Sequence, residues 1–401
     1  MVKFWRSLLR IGFLEPLRAA FLLLLAAISL VAPFKILLLR EARIGEFGPR
    51  TDFFLRRVQA GAEPNIKGFR LAIVGSPSNG QLLRMFKRHL HIFQNRFLNF
   101  IINSQKIERS RFFYWLPLPV PETEDAEFCT AQPVLHFNQW EEERGQELLA
   151  AMGIPEGAWF VAFHARDSGY TKNMFPGQEK HPSDYRNCSI GNYYESMQYV
   201  TSLGGYAIRV GSDIMEDLPD HDNPRIIDYA RDYRSDFGDI YVLAKCKYFV
   251  GCSSGITSIP GLFNVPVVDA NSAPWPMLPP GERVMRFFLG DGDMFLPRPF
   301  WSLEEDRLLT FRETLQNGLA NFSSLKQFDQ TGVKVMENES RDILEVTKEM
   351  NQRIDGCFAP GADDEKLQAR FRTLVDPSTA GKTRTVRVGA KFLETHSNLL
   401  D

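Results

Sequence analysis

Apolar residues in this chain fall into short, wholly hydrophobic runs separated by stretches in which they recur at helical spacing. The short runs suit strands buried on both faces, and the spaced pattern suits helices packed on one side. Residues 35–40 are the first such run. The glycine-rich RIGEFGP (43–49) then predicts a turn, and DFFLRRVQ a helix capped by Thr51. The unit recurs as FRLAIV (69–74), the turn GSPSNG and the helical QLLRMFKRHLHIF.

The proline-rich, acidic stretch 115–133 predicts an irregular connection, and 141–152 a helix. From Trp159 the alternation sharpens: strand WFVAFH, a polar loop, helix NYYESMQYVTSLG, strand YAIRV and the apolar RIIDYA. Helix FGDIYVLAKC, strand KYFVG, turn CSSG, helix ITSIPGLFN and strand VPVVDA follow. Strands alternating with single helices require parallel crossovers, so the fold class is α/β with doubly wound, Rossmann-like sheets. Beyond Asn271 the chain turns loop-rich, and a helix is predicted over 339–353 with Asn338 or Ser340 as cap.

A chain of 401 residues exceeds what one hydrophobic core organises well. The expected division is an amino-terminal segment 1–34, a first Rossmann-like domain 35–150, a second 151–360, and a tail 361–401 crossing back to the first. Residues 19–34 are uncharged and preceded by Lys3, Arg6, Arg10 and Arg18. At 16 residues the segment is short for a span, which needs about 20. Three readings compete for it: an uncleaved signal anchor, a segment lying in the bilayer interface, and a buried helix. Inner-membrane association on the cytoplasmic face is therefore one expectation.

Net charge of -2 lacks the basic footprint of a nucleic-acid partner. Five cysteines without CxxC pairs (Cys129, Cys188, Cys246, Cys252 and Cys357) predict neither a disulfide framework nor a zinc site, and point to a cytoplasmic setting. The absence of GxGxxG after an early strand argues against a dinucleotide oxidoreductase.

In open parallel sheets, ligands sit beyond the carboxyl ends of the strands. Three places there carry chemistry. FHARDSGY places His164, Arg166 and Asp167 after one strand, where a guanidinium can grip a diphosphate and the imidazole can donate to it. GCSSGITS offers Ser253, Ser254, Gly255 and the N–H groups at Ile256 and Thr257. Arg209 and Asp228 end two further strands, as phosphate and ribose or base ligands respectively. The competing structural readings are a surface Arg166–Asp167 pair, a simple helix cap at the serines, and a purely architectural Arg209 and Asp228.

With these residues in hand, the chain resembles a bacterial family of glycosyltransferases of the GT-B type. The resemblance runs through RIGEF, PSNGQLLRMFKRHL, HARDSGY, RNCSIGNYYESMQYVTSLGGYAIRVGS and SDFGDIYVLAKCKYFVGCSSGITSIPGLFNVPVV. More distantly it is similar to fucosyltransferase donor domains, through His164 and Arg166 and, approximately, Cys246, Gly251, Ser253 and Ser254. A second arginine of that motif is replaced here by Asp167, so fucose is not implied. What the resemblance implies is two Rossmann-like domains facing across a cleft. A nucleoside-diphosphate sugar would serve as donor and a glycan or glycolipid as acceptor, without metal or other cofactor. Catalytic candidates are His164, Asp167 and Glu46. The rival functions are a sugar-nucleotide epimerase and a non-catalytic glycan- or nucleotide-binding protein.

Overall fold

The computed structural model describes residues 2–62, 69–103, 105–116, 131–276, 292–375 and 386–401. Most of the connection 117–130, with Cys129, lies outside them. The described residues form two compact units, one ending at His136 and the other beginning at Phe137.

The first unit is a four-stranded parallel sheet in the order β3-β2-β1-β4, with β1 Phe34–Leu38, β2 Phe69–Val74, β3 His91–Gln94 and β4 Phe113–Trp115. Helix α1 (Val2–Ser29) packs Phe21, Leu22 and Leu25 onto the core that Ile36, Ile73 and Ile102 build. Among the described residues, no helix is long and apolar enough to cross a membrane. Helix α2 (Ile44–Gln59) already includes RIGEFGP, contrary to the expected turn, and Thr51 is buried inside it rather than capping it. Two glycines and Pro49 weaken local helix propensity, but burial of Phe47, Phe53 and Phe54 overrides it. Helix α3 (Gly80–Phe86) likewise stops early, and the expected continuation HIF pairs as β3.

The second unit holds seven strands, all parallel, in the order β14-β10-β9-β8-β5-β6-β7. Their ranges are β5 Phe160–Phe163, β6 Tyr206–Arg209, β7 Ile226–Ile227, β8 Phe249–Gly251, β9 Val267–Ser272, β10 Met294–Pro297 and β14 Arg387–Val388. A small antiparallel sheet, β11 Phe300–Ser302 with β12 Arg307–Leu308 and β13 Val333–Val335, adjoins it in sequence.

Two expected boundaries move. Helix Gln139–Ala151 belongs to the second unit, because Gly145 leaves room for the Tyr241 ring and Glu142 bonds Tyr241 and Lys245. The described part of the tail belongs to the second unit: β14 extends its sheet, and Phe392, Leu393 and Leu400 are buried in its core. Part of that tail, 376–385, lies outside the described residues.

Buried Asp52 and Arg56 pair at 2.7 Å one turn apart on α2, and Arg56 also donates to the Ala131 carbonyl. Removing one partner leaves the other charge uncompensated. Arg56→Ala is expected to cost about 3–5 kcal/mol in urea unfolding. The Asp52→Ala/Arg56→Ala double variant should lose less than the sum of the two single losses.

Candidate active site

The second unit's chain runs outward from β5 through β6 and β7, then returns to pair β8 against the other side of β5. The loops leaving β5 and β8 therefore depart in opposite directions. This reversal is the topological switch point, where α/β sheets bind ligands. His164 and Arg166 leave β5 there, and Cys252–Ser254 leave β8 beside them. The Arg166 amide lies 3.2 Å from Cys252 Sγ, so the first two predicted clusters are brought together.

His164 is buried, and its Nδ1 lies 3.0 Å from the Val210 carbonyl. A carbonyl only accepts, so Nδ1 carries the proton. Burial lowers the pKa to about 4, with Arg209 and Arg166 pushing the same way against the Val210 bond. The ring is neutral at pH 7 and Nε2 is a bare acceptor. In this tautomer Nε2 accepts a hydrogen bond from a ligand, whereas donation to a phosphate would require the protonated ring.

Arg166 donates to the Ser183 carbonyl at 3.1 Å and to the Asn187 side chain. Two further arginines, not foreseen from the sequence, join it. Arg186 reaches the Ser253 carbonyl at 3.5 Å, and buried Arg298 donates to the carbonyls of Tyr185 and Asn187. Burial and the charge of Arg186 lower the Arg166 pKa, although a guanidinium stays charged. Against these cations stands Asp269, buried within β9 and accepting from Ser253 Oγ at 3.1 Å and Ser272 Oγ at 2.6 Å. Burial raises its pKa to about 7, over the opposing hydrogen bonds and the charges of Arg186 and Arg298. At neutral pH the cluster thus carries more positive than negative charge.

The serine turn works differently from expectation. ITSIPGLFN is two single-turn 3-10 segments, Ile256–Ser258 and Pro260–Phe263, because Pro260 cannot supply a helical N–H. Ser253 Oγ is spent on Asp269 and the Ala273 amide, Ser254 Oγ faces Thr257 Oγ1, and Thr257 Oγ1 donates to the Cys252 carbonyl. The side chains are structural. The amides of Ser254, Gly255 and Ile256 have no acceptor among the described residues, which leaves three successive N–H donors in the turn.

The other candidates are held by neighbours in the second unit. Asp167 accepts from the amides of Gly169, Met215 and Glu216 at 2.8, 2.6 and 3.1 Å, so both its oxygens are engaged in stapling two loops. Arg209 donates to Asp228 at 3.0 Å and to the Glu216 carbonyl at 2.7 Å while 1% exposed. Asp228 also faces Arg231 at 3.9 Å, and its buried Oδ1 has no hydrogen-bond partner among the described residues. Cys246 is a buried thiol pushed up to about 12 by its burial, a core residue.

Glu46 belongs to the first unit, where the switch point falls between β1 and β4. A cavity of about 390 Å³ opens there, lined by Arg40, Glu41, Glu46, Asn99, Glu108 and Trp115 among others. Arg40 adopts the left-handed conformation (φ 55°), stacks 4.0 Å over Trp115 and donates to Glu108 at 3.3 Å. A non-glycine residue held in this way marks local strain of the kind found at binding sites. Glu41 Oε1 is taken by the Gly75 amide and Asn99. Glu46 has only the looser ion pairs to Arg50 and Arg43, at 3.6 and 3.9 Å.

No family model matches the chain, and no curated protein does. Among solved structures it is similar to ADP-heptose lps heptosyltransferase II of E. coli, with TM-score 0.37 and 13% identity over 59% of this chain and 84% of that one. It is also similar to a family 9 glycosyl transferase from Veillonella parvula, with TM-score 0.40 and 10% identity over 66% of this chain and 85% of that one. Likeness at this level assigns neither family nor activity. Neither of these two structures is a fucosyltransferase.

If Asp167 is a staple, Asp167→Ala should lower unfolding stability by about 1.5–3 kcal/mol, the worth of hydrogen bonds to a charged acceptor. His164 contributes a pH dependence. Unfolded histidine takes up a proton near 6.5, whereas in the folded state it does so only near pH 4. Stability is therefore full above about pH 6.5 and falls by about 3 kcal/mol as pH drops to 4. Urea titrations across that window should show the slope, and His164→Gln should flatten it.

Proposed function

We propose that the chain is a glycosyltransferase that takes a sugar from a nucleoside-diphosphate donor and transfers it to a hydroxyl of a glycan or glycolipid. The observation that carries this reading is the gathering of three arginines at the β5–β8 switch point, beside a turn in which the amides of Ser254, Gly255 and Ile256 have no acceptor among the described residues. A diphosphate is the ligand with enough negative charge and enough acceptor oxygens to satisfy both sets.

In this mechanism the acceptor oxygen attacks the anomeric carbon while the bond to the diphosphate oxygen breaks. Negative charge grows on the leaving diphosphate, and Arg166, Arg186 and the amides of Ser254, Gly255 and Ile256 stabilise it. His164 Nε2, a bare acceptor, receives a hydroxyl of the donor. The proton released by the acceptor passes to a general base, and the first unit's own cavity, with Glu46 and the Trp115 ring, offers a surface for a sugar. Charge compensation by guanidinium and N–H groups lets this transfer proceed without a metal. Free Cys188, Cys246 and Cys252 suit a reducing cytoplasm, and the reading places the acceptor in assembly of a surface polysaccharide or lipopolysaccharide.

Calorimetry against a panel of nucleoside diphosphates and their sugars tests the donor site. Arg166→Ala should weaken the best ligand about tenfold or more, the equivalent of about 1.4 kcal/mol, and Arg166→Lys by less. Unchanged affinity in Arg166→Ala refutes the assignment. Product formed from donor without any acceptor would replace transfer with epimerisation.

Because Asp269 titrates near 7 beside the same cations, an arriving anion should favour its protonated form. Donor affinity is expected to rise as pH falls from 8 to 6, and to lose that dependence in Asp269→Asn.

A further inference from the structure

The whole-chain charge of -2 conceals a large asymmetry. Residues 1–116 carry 19 lysines and arginines against 6 aspartates and glutamates, while the rest carries 28 against 43. The first part therefore has a net charge of +13 and the second -15. In salt a charge acts mainly within a Debye length of about 8–10 Å, so the basic excess of the first part acts on its own immediate surroundings.

The same basic unit exposes an apolar face. Phe21, Leu22 and Leu25 of α1 turn inward, but Leu24 and Ile28, one turn apart on another side, are 56 and 45% exposed, and Val31, in the turn after the helix, is 90% exposed. Leu30 beside them is 87% exposed. Helix α4 (Arg96–Ile102) packs along α1, with Arg18 Nε donating to the Ile101 carbonyl at 3.1 Å. It exposes Phe97 and Phe100, three residues apart, at 60 and 48%. Aliphatic and aromatic side chains on neighbouring helices thus share the surface of a strongly cationic unit.

We propose that this face is a docking surface for an anionic lipid bilayer, lying in the headgroup region without crossing it. Both ingredients of interfacial binding are present: apolar side chains able to enter the acyl boundary and, in the same unit, an excess of basic residues that anionic headgroups attract. A nucleic acid would use the charge but gain nothing from exposed Leu30, Val31 and Phe97, which is why the lipid surface is favoured. The inference stands on the first unit alone and is independent of the donor site.

Flotation of the full-length protein with phosphatidylglycerol-containing and pure phosphatidylcholine vesicles tests it. Binding is expected to the former only, to weaken with added salt, and to fall about tenfold or more in Val31→Ser/Phe97→Ser. Those positions are exposed, so the variant should keep the wild-type melting temperature and ligand binding. Failure to bind the anionic vesicles, or equal binding by the variant, overturns the proposal. So does retention by an RNA oligonucleotide in the variant with no vesicle binding in the wild type, which would reassign the basic unit.

Discussion

Parallel pairing of β8 against β5 is the constraint on which the candidate site depends. The register, Ala162 opposite Phe249 and Phe163 opposite Val250, sets the two departing loops at the same level of the sheet. Right-handed crossovers running in opposite directions pass over opposite faces, so a crevice forms where the loops part. Gly251 permits the approach: a Cβ there would meet the Phe249 ring at 2.5 Å and the His164 carbonyl at 3.3 Å.

On that framework the arginines are held before any ligand arrives. Arg166 and Arg298 grip the 183–187 loop from two sides, through its carbonyls and Asn187. Holding like charges together costs energy, and the site recovers it only when an anion enters. Donors fixed in advance need no reorganisation as charge develops on a leaving group, which is the physical basis of electrostatic catalysis. Asp269, whose pKa burial raises to about 7, moderates the repulsion among the arginines.

Much of this architecture was legible in the sequence, because strands buried on both faces leave unbroken apolar runs. FRLAIV, WFVAFH, YAIRV and KYFVG all fall on parallel strands. Local composition misled where tertiary packing prevailed, as in RIGEFGP, whose glycines and proline suggested a turn although Phe47 anchors a helix. Strand β14 and the short β10 lie in stretches read as loop and tail, and they are strands because a sheet edge is there to receive them. At the site, His164, Arg166 and the serine turn were identified as neighbours. The chemistry of individual atoms was not, since the tautomer of His164, the three amides on Asp167 and the Arg209–Asp228 pair depend on partners far along the chain. Arg186 and Arg298 escaped notice for the same reason. Summing charge over all residues likewise hid the basic first unit.

Amide hydrogen exchange with and without a nucleoside diphosphate tests the central claim most directly, because it reads the backbone donors themselves. The account predicts slowed exchange at Ser254, Gly255 and Ile256 on saturation with the ligand, together with the 183–187 loop. Binding that leaves exchange at those three amides unchanged would contradict it.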